Sequence, residues 1–434
     1  TISLGPAEMR KIGGRFDLPI ALGILAARKQ FPIAALSDVE CYGELALSGE
    51  LRPVSGLLPA VLKAHSCGRS VIVPKENAGE AALAGANVIG ASSLLEVTAH
   101  LAGREPIAYE TATEARTDTV LAPELADVKG QQHAKRALEI AAAGNHNLLL
   151  VGPPGTGKSM LARRLPGLLP AMSKQEALES AAVDSVAGLA VDAGKWRQRP
   201  FRAPHHTASA AALVGGGRLL GPGEISRAHN GVLFLDELPE FNRNVLEALR
   251  EPLEAGSITI ARAGVHAEFP ARFQLIAAMN PCPCGYLGDS QADCRCSGDR
   301  VTSYRNKISG PLLDRVDLHV EVLRPSTATL RNSAGGEGSA EVAKRVRDAW
   351  HRQLQRSGVP NARLEGELLA THCAIDNSCW SLLENAAERF NLSARAHQRV
   401  LRVARTIADL AGDTKIAPPH IAEALSLRCL DRRR

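Results

Sequence analysis

The chain has 434 residues, of which 45% are hydrophobic and 22% charged, so it is long enough for about three domains of ordinary globular composition. No apolar run approaches the roughly 20 residues of a membrane span and no signal peptide is visible, so we expect a cytoplasmic protein without membrane association. Aromatic residues make up only 3%, which argues against base stacking as the main contact with nucleic acid. The net charge is +5, and residues 341–434, with 16 basic and 11 acidic residues, carry all of it. This segment is either a solvated helical surface or one that faces a polyanion.

Two composition breaks divide the chain into three blocks. The first break, from Gly103 to Pro123, is polar and rich in threonine. The second, from Pro325 to Ala340, contains Ser-Ala-Gly-Gly-Glu-Gly-Ser, which is typical of a flexible linker. We therefore predict domains over residues 1–105, 121–325 and 341–434.

The first two blocks alternate short strands with helices, and the third is predicted to be helical. In block one a helix is predicted over Leu57–His65 and a strand over Val71–Pro74. In block two the predicted buried strands are Asn147–Val151, Gly231–Leu235, Phe273–Ala278 and Leu318–Val322. This alternation predicts an α/β fold, a mostly parallel sheet flanked by helices. In block three, one helix face collects Val400, Val403, Ala404, Ile407 and Leu410.

A glycine-rich loop directly follows the first buried strand of block two. It reads Gly152, Pro153, Pro154, Gly155, Thr156, Gly157, Lys158, Ser159 and then Met160, the strand, loop and helix pattern of a P-loop. Glycines let backbone N–H groups wrap phosphate oxygens, and the following helix presents its positive end to the same anion. We expect Lys158 to reach the β- and γ-phosphates of ATP and the Ser159 hydroxyl to ligate Mg²⁺.

A second apolar strand ends in two acids, Asp236 and Glu237. Acids in this position hold Mg²⁺, here through water, and orient or activate the attacking water. The next strand ends at Asn280, whose amide could bond the γ-phosphate or the water, or could simply form a turn before Pro281. We favour the first role because strand order places Asn280 beside Glu237. Together these residues predict nucleotide hydrolysis.

Four of the nine cysteines fall within fifteen residues: Cys282, Cys284, Cys294 and Cys296. Four thiolates suit a tetrahedral structural zinc ion and leave no open position for catalysis. Buried free thiols or a redox pair are the alternatives, because Cys-x-Cys is a less usual zinc spacing than Cys-x-x-Cys. We favour zinc, since clustering this dense is costly without a ligand.

Block two resembles the YifB/ComM family, in the magnesium-chelatase-like branch of the AAA+ superfamily. The resemblance rests on Phe201–His206, Gly221–Ser226, Ala228–Glu237, Ala278–Gly285 and Gly310–Arg315. It implies an AAA+ core with a helical lid, a homo-hexamer, and a DNA helicase that acts on single-stranded or branched DNA and promotes branch migration in natural transformation. A chelatase-type remodeller of a partner protein is the alternative, because chelatase motors share this fold and nucleotide site. We expect His205 and His206 to be packed rather than to face a pore.

The resemblance also assigns two arginines. Arg315 corresponds to the arginine finger, which would stabilise charge on the γ-phosphate bound by the neighbouring subunit. A surface ion pair with a neighbouring aspartate is the alternative for this residue. Arg395 corresponds to the sensor-2 arginine of the lid, although Arg399 and Arg402 are close by in the sequence.

Two loops are candidate contacts with DNA. The resemblance suggests a helix-2 insert at residues 213–218, in which Gly216 and Arg218 would point into a hexamer pore. A later segment reads as two strands that turn at residues 262–264, similar to the pre-sensor-1 hairpin of the minichromosome-maintenance helicases. A ring of Arg262 side chains would contact phosphates independently of base sequence. An ordinary surface hairpin is the alternative.

Block one resembles the proteolytic domain of Lon protease, through Gly43–Val54 and Val71–Pro74. The serine and lysine of the Lon dyad align with Arg15 and Leu58, which cannot perform that chemistry. We therefore expect a domain without peptidase activity that scaffolds the ring or binds a partner. Because the chain begins at Thr1 rather than Met, we also expect the first strands of this domain to precede the sequence.

Overall fold

The computed structural model describes residues 13–111, 123–191, 196–217, 220–262, 265–326, 329, 331, 336–390 and 392–431. The chain folds into two compact units, one of Thr1–Asp118 with Ser173–Gln198 and one of Thr119–Met172 with Arg199–Arg434. Among the helices of these described residues, none combines the length and the apolar character needed to cross a bilayer.

The strands and helices are as follows. The strands are β1 (Val39–Cys41), β2 (Glu44–Leu45), β3 (Leu51–Arg52), β4 (Ser70–Pro74), β5 (Val88–Ala91), β6 (Leu148–Val151), β7 (Phe201–Arg202), β8 (Gly215–Gly216), β9 (Gly221–Pro222), β10 (Val232–Leu235), β11 (Ser257–Arg262), β12 (Val265–Pro270), β13 (Gln274–Met279) and β14 (Leu318–Glu321). The helices are α1 (Asp17–Ala27), α2 (Leu58–Ser66), α3 (Lys75–Ala82), α4 (Leu94–Leu101), α5 (Gln132–Gly144), α6 (Lys158–Ala162), α7 (Lys174–Val186), α8 (Ala210–Val214), α9 (Glu224–Arg227), α10 (Arg243–Ala248), α11 (Arg250–Ala255), α12 (Gly298–Arg305), α13 (Gly310–Leu313), α14 (Ser339–Ser357), α15 (Gly366–His372), α16 (Asn377–Phe390), α17 (Ala394–Ala411) and α18 (Pro418–Ser426).

The first unit is a parallel sheet, in the order β1-β4-β5, covered by helices on both faces. Side chains alternate along β4, so Val71 and Val73 pack with α2, α3 and α7, while Ile72 packs with α1 and α4. The predicted helix and strand of this block are confirmed to within a residue at each end. Strands β2 and β3 form a short antiparallel pair, and they lie between β1 and β4 in the sequence.

Helix α7 belongs to the first unit, although the sequence analysis placed its residues in the nucleotide-binding block. Ala181 of this helix is buried in the core that α2 and α3 form with the sheet. The Ser185 hydroxyl accepts a hydrogen bond from the backbone N–H of Leu58, at 3.3 Å. The local sequence of α7 does not predict which unit the helix packs in, since α7 is an ordinary capped helix.

The second unit is built on a fully parallel sheet in the order β14-β6-β13-β10-β7. Leu148 and Leu150 of β6 face a core shared with α5 and the C-terminal helices, and Leu149 and Val151 face a second core. The predicted apolar face of α17 is confirmed, because Val400 and its partners pack into the first of these cores. The predicted α/β architecture with a helical C-terminal region is therefore correct.

Strand direction brings the predicted catalytic segments together. Because β6, β10 and β13 are parallel neighbours, their carboxyl ends meet at one edge of the sheet. The P-loop follows β6, the acidic pair follows β10, and Asn280 follows β13. The amino ends of the strands form the opposite edge of the sheet, and Arg315, the predicted arginine finger, lies there.

Candidate active site

The loop after β6 has the backbone of a phosphate-binding turn. Gly155 and Gly157 have φ values of 75° and 89°, a left-handed conformation that glycine adopts without strain. Gly152 is needed for a different reason, since a Cβ there would lie 2.2 Å from the carbonyl oxygen of Val322. The Thr156 hydroxyl closes the turn by donating to the carbonyl of Pro153, at 2.9 Å. The glycines of the motif are thus required by geometry.

Lys158 lies at the first turn of α6 and is 8% exposed. Its ammonium group donates to the backbone carbonyls of Gly152 (2.6 Å) and Pro153 (2.8 Å) and to Oδ1 of Asn280 (3.1 Å). Burial lowers the pKa of this amine to about 8, against the opposing effect of nearby carboxylates. The Asn280 amide and the P-loop lysine are therefore in direct contact.

The predicted magnesium ligands are also in contact. The Ser159 hydroxyl donates to Oδ2 of Asp236 at 2.5 Å, and Oδ1 of Asp236 accepts from the backbone N–H of Glu237 at 3.0 Å. A hydroxyl beside a carboxylate is the hard oxygen donor set that suits Mg²⁺. Pro154 and Met160 are exposed beside this pair, where the predicted nucleotide contacts would be made.

Glu237 has a partner that the sequence analysis missed. Nδ1 of His206 lies 3.2 Å from Oε2 of Glu237, and the His206 ring also contacts the rings of His205 and Phe241. His205 is exposed and bonds the Thr207 hydroxyl at 2.8 Å. The expectation that both histidines are packed is wrong for His205, which is exposed, whereas half-buried His206 packs against Phe241 and also pairs with Glu237. Only the pairing of β7 with β10 brings its loop to this edge.

Arg315 lies at the opposite edge of the sheet from the P-loop. It precedes β14, whose first residue Leu318 pairs with Leu148, the first residue of β6, whereas the P-loop follows the last. Arg315 is 6% exposed, and its guanidinium bonds Glu254 and the carbonyl of Pro311 rather than the neighbouring aspartate considered from the sequence.

Arg395 lines the same cavity as Arg315, a space of about 660 Å³. Of its two sequence neighbours, Arg399 is engaged by buried Asp317 at 2.6 Å, and Arg402 lies 3.9 Å from Glu365. Arg395 itself is exposed at the cavity. Its assignment as the sensor-2 arginine stays a prediction.

The buried carboxylate of Asp317 ties helix α17 to the edge of the sheet where Arg315 lies. Burial on its own would raise the pKa of Asp317, but Arg399, His146 and the backbone N–H of Asn147 together hold that pKa well below its usual range. The Arg399 side chain comes from α17 and Asp317 from the segment before β14. Their ion pair ties the helical region to the sheet.

The two predicted DNA-contacting loops adjoin each other. β8, which contains Gly216, pairs with β9, and a Cβ built on Gly216 would lie 3.6 Å from Cγ2 of Ile260 in β11. The predicted hairpin is confirmed in its strands, with Arg262 of β11 pairing with Val265 of β12. The two residues between these strands, the Arg262 side chain and Arg218 all lie outside the described residues.

The four clustered cysteines converge. All four sulfur atoms lie within 4.8 Å of one another, and the Sγ–Sγ distances are 3.4 Å for Cys282–Cys284 and 3.6 Å from each of these to Cys294. Zinc–sulfur bonds of 2.3 Å in a tetrahedron require edges of about 3.8 Å. Backbone N–H groups of Tyr286 and Arg295 donate to Cys284 and lower the pKa of its thiol to about 6. The cluster fits a tetrathiolate zinc site.

The chain matches known protein families over most of its length. Residues 124–330 match the family "Magnesium chelatase, subunit ChlI", residues 336–428 match its C-terminal family, and residues 1–77 match "Subunit ChlI of Mg-chelatase". The competence protein ComM of Haemophilus influenzae is 50% identical over all of this chain and 86% of its own length. The YifB protein of Salmonella typhimurium is 48% identical over all of this chain and 85% of its own length. The magnesium-chelatase 38 kDa subunit of Cereibacter sphaeroides is 25% identical over 71% of this chain and 91% of its own length. The chain therefore belongs to the ComM/YifB family of magnesium-chelatase-like AAA+ ATPases.

Proposed function

We propose that this protein is an ATP-hydrolysing DNA motor of the cytoplasm, a helicase that promotes branch migration when incoming DNA recombines during natural transformation. The observation that carries the proposal is the contact between Gly216 of β8 and Ile260 of β11, which supports a shared role for the two candidate DNA-binding loops. The chain is 50% identical over its whole length to a protein named for competence, which supports the same function.

The residues at the carboxyl edge of the sheet would carry hydrolysis. Lys158 and the loop N–H groups would bind the phosphates of ATP, and Ser159 and Asp236 would hold Mg²⁺, directly or through water. The ion would supply positive charge to the phosphate oxygens. Glu237 would accept a proton from the attacking water, and Asn280 would orient that water or the γ-phosphate.

The position of Arg315 supports assembly into a ring. Its guanidinium lies at the edge opposite its own P-loop, so it would stabilise ATP only in a neighbouring subunit. Arg395 shares its cavity and would join the same composite site. A homo-hexamer, closed by such head-to-tail contacts, would complete each site with residues from two chains.

DNA would be bound by the adjoining loops, through Gly216 and Arg218 of the insert and Arg262 of the hairpin. Backbone N–H groups and guanidinium groups contact phosphates without reading bases, which suits a motor that moves along any sequence. The excess of basic residues in the C-terminal segment would add to this attraction.

The first unit would act as a scaffold or partner-binding domain related in fold to the Lon proteolytic domain, but without peptidase activity. Nη2 of Arg15 donates to the carbonyl of Ser55 at 2.9 Å, and Leu58 is fully buried. Neither side chain provides a nucleophile or a base. The cysteine cluster of the second unit would hold structural zinc, since its four sulfurs fit the metal.

The test is steady-state ATP hydrolysis by the full chain with no nucleic acid, with single-stranded DNA and with branched DNA. Lys158→Ala provides the blank, Arg262→Ala removes the proposed phosphate contact, and Arg262→Lys is the matched control that keeps its charge. Stimulation by DNA that Arg262→Ala loses and Arg262→Lys keeps would support the DNA motor. Hydrolysis that ignores every DNA would favour a chelatase-type remodeller acting on a partner protein.

A further inference from the structure

We propose that zinc bound by the four cysteines is a positioning element of the ATP site, because it holds the loop that supports both Asn280 and the P-loop. This cysteine loop, residues 280–297, connects β13 to α12. The inference rests on the proposed ATP and zinc sites and adds a dependence of nucleotide binding on the metal.

The first link between the two sites is covalent. Asn280, whose Oδ1 accepts a hydrogen bond from Lys158, is two residues before the buried ligand Cys282. Two residues of extended chain span at most about 7 Å, so a shift of Cys282 would move the Asn280 amide. Pro281 between them has a fixed φ, and its carbonyl accepts from Nε of Arg305 at 3.3 Å. The chain that connects the Cys282 sulfur to the Asn280 amide is therefore short and rigid.

The second link is a packing contact with the P-loop. Gly285, next to the ligand Cys284, has a φ of 88°, and a Cβ built on it would lie 2.8 Å from Cδ of Pro154. The backbone N–H of Gly285 donates to the carbonyl of Cys282 at 3.0 Å, which closes the turn between the two ligands. The cysteine turn thus lies directly against the P-loop, where only a glycine fits.

A third link comes from the far side of the loop. Arg324, just after β14, donates to Oδ2 of Asp289 at 2.9 Å and lies 3.4 Å from the carbonyl oxygen of Pro154. One guanidinium therefore joins the middle of the cysteine loop to the same proline. A metal that holds the loop in place also holds this bridge in place.

Burial of apolar surface contributes little to ordering this loop. It contains no strand or helix, and its buried residues are Pro281, Cys282 and Gly285. A segment that buries so little apolar surface gains little hydrophobic stabilisation to offset its conformational entropy. Four thiolates on one metal ion join its two halves, and the free energy of metal binding then becomes free energy of ordering.

The experiment measures zinc content and nucleotide affinity in the full chain without DNA. Zinc is determined by elemental mass spectrometry, and affinity is determined by titration of a fluorescent ATP analogue with Mg²⁺. We expect about one zinc ion per chain in the wild type and in Cys67→Ser, a control at an exposed cysteine of the first unit. The Cys284→Ser, Cys294→Ser double variant should lose zinc and bind nucleotide at least about tenfold more weakly.

A second variant separates the contact from the metal and remains informative if the double variant fails to fold. Gly285→Ala leaves all four ligands but collides with Pro154, so it should keep zinc and lose nucleotide affinity. Gly288→Ala is its matched control, because Gly288 also has a positive φ, 80°, but nothing lies within 4 Å of its added Cβ. It should keep both properties.

Three results would overturn the inference. They are wild-type protein without zinc, a folded zinc-free variant that binds nucleotide normally, and a Gly285→Ala variant with the affinity of Gly288→Ala. Lys158→Ala in the same titration reports on the ATP site itself. Normal binding by that variant would count against the proposed nucleotide site rather than against its support by zinc.

Discussion

Nδ1 of His206 lies 3.2 Å from Oε2 of Glu237, so the candidate water-activating carboxylate has a side-chain partner in the loop that follows β7. Glu237 adopts a left-handed backbone, with φ 53° and ψ 48°. Such a conformation costs a non-glycine residue about 1–3 kcal/mol and is concentrated at functional sites. His206 also leads into α8 and the β8–β9 segment, so it connects the carboxylate to a candidate DNA-binding loop.

His206→Ala should lower kcat for ATP hydrolysis by about tenfold with little change in KM, because Glu237 loses the contact that orients it. His206→Asn should recover most of the activity, since its amide nitrogen can replace Nδ1. Initial rates over a range of ATP concentrations measure both constants. His205→Ala is the control, because His205 bonds Thr207 instead. Wild-type turnover by His206→Ala would contradict the assigned role.

Arg315→Ala should lower kcat by about a thousandfold or more while nucleotide still binds, as expected for a lost arginine finger. Because the arginine and the P-loop lie at opposite edges of the sheet, the variant should be complemented by Lys158→Ala. Each is inactive alone, but in equal mixture up to about a quarter of the composite sites should be intact in a ring of randomly mixed subunits. ATP hydrolysis by mixtures at constant total protein measures this, and a mixture as inactive as its components would exclude action on a neighbour.

The affinity for ATP should fall as pH rises above about 8. Burial lowers the pKa of Lys158 to about 8 in the free protein, and only the ammonium form attracts phosphate. Bound phosphate would raise this pKa, so binding takes up a proton above pH 8 and Kd should rise by up to about tenfold per pH unit. Nucleotide titrations across this range measure the slope. The slope should vanish in Lys158→Arg, whose guanidinium does not titrate, and an equal slope in both proteins would refute the assignment.

Asp317→Asn should destabilise the second unit by about 3–5 kcal/mol at neutral pH, because it leaves the partly buried Arg399 side chain without its charge partner. The folded pKa of Asp317 is held below its unfolded value, so its contribution is present above about pH 4 and is lost as pH falls through the folded pKa. Urea unfolding followed by circular dichroism measures the change. Glu240→Gln, which breaks the exposed pair with Lys307, should cost at most about 1 kcal/mol. Equal effects would show that burial of the Asp317 pair is unimportant.

The candidate nucleotide site could be proposed from sequence because its residues lie in short local motifs. Gly155 and Gly157 permit the left-handed backbone that the loop adopts, and Lys158, one residue later, begins the helix. The two acids after β10 and the amide of Asn280 follow buried strands, and apolar strands can be recognised in the sequence. The helical C-terminal segment was equally predictable, because an amphipathic helix has the same period wherever it packs.

Tertiary structure alone decided which distant residues meet. The order β14-β6-β13-β10-β7 brings His206 to Glu237 and sends Arg315 to the opposite edge, and no short-range pattern encodes that order. The same holds for α7, which packs in the first unit, and for the cysteine turn that Gly285 places against Pro154. The sequence by itself determined which chemical groups are available, since these follow from residue type and local backbone. Their partners were decided by packing, because contact between distant segments depends on the free energy of the whole fold.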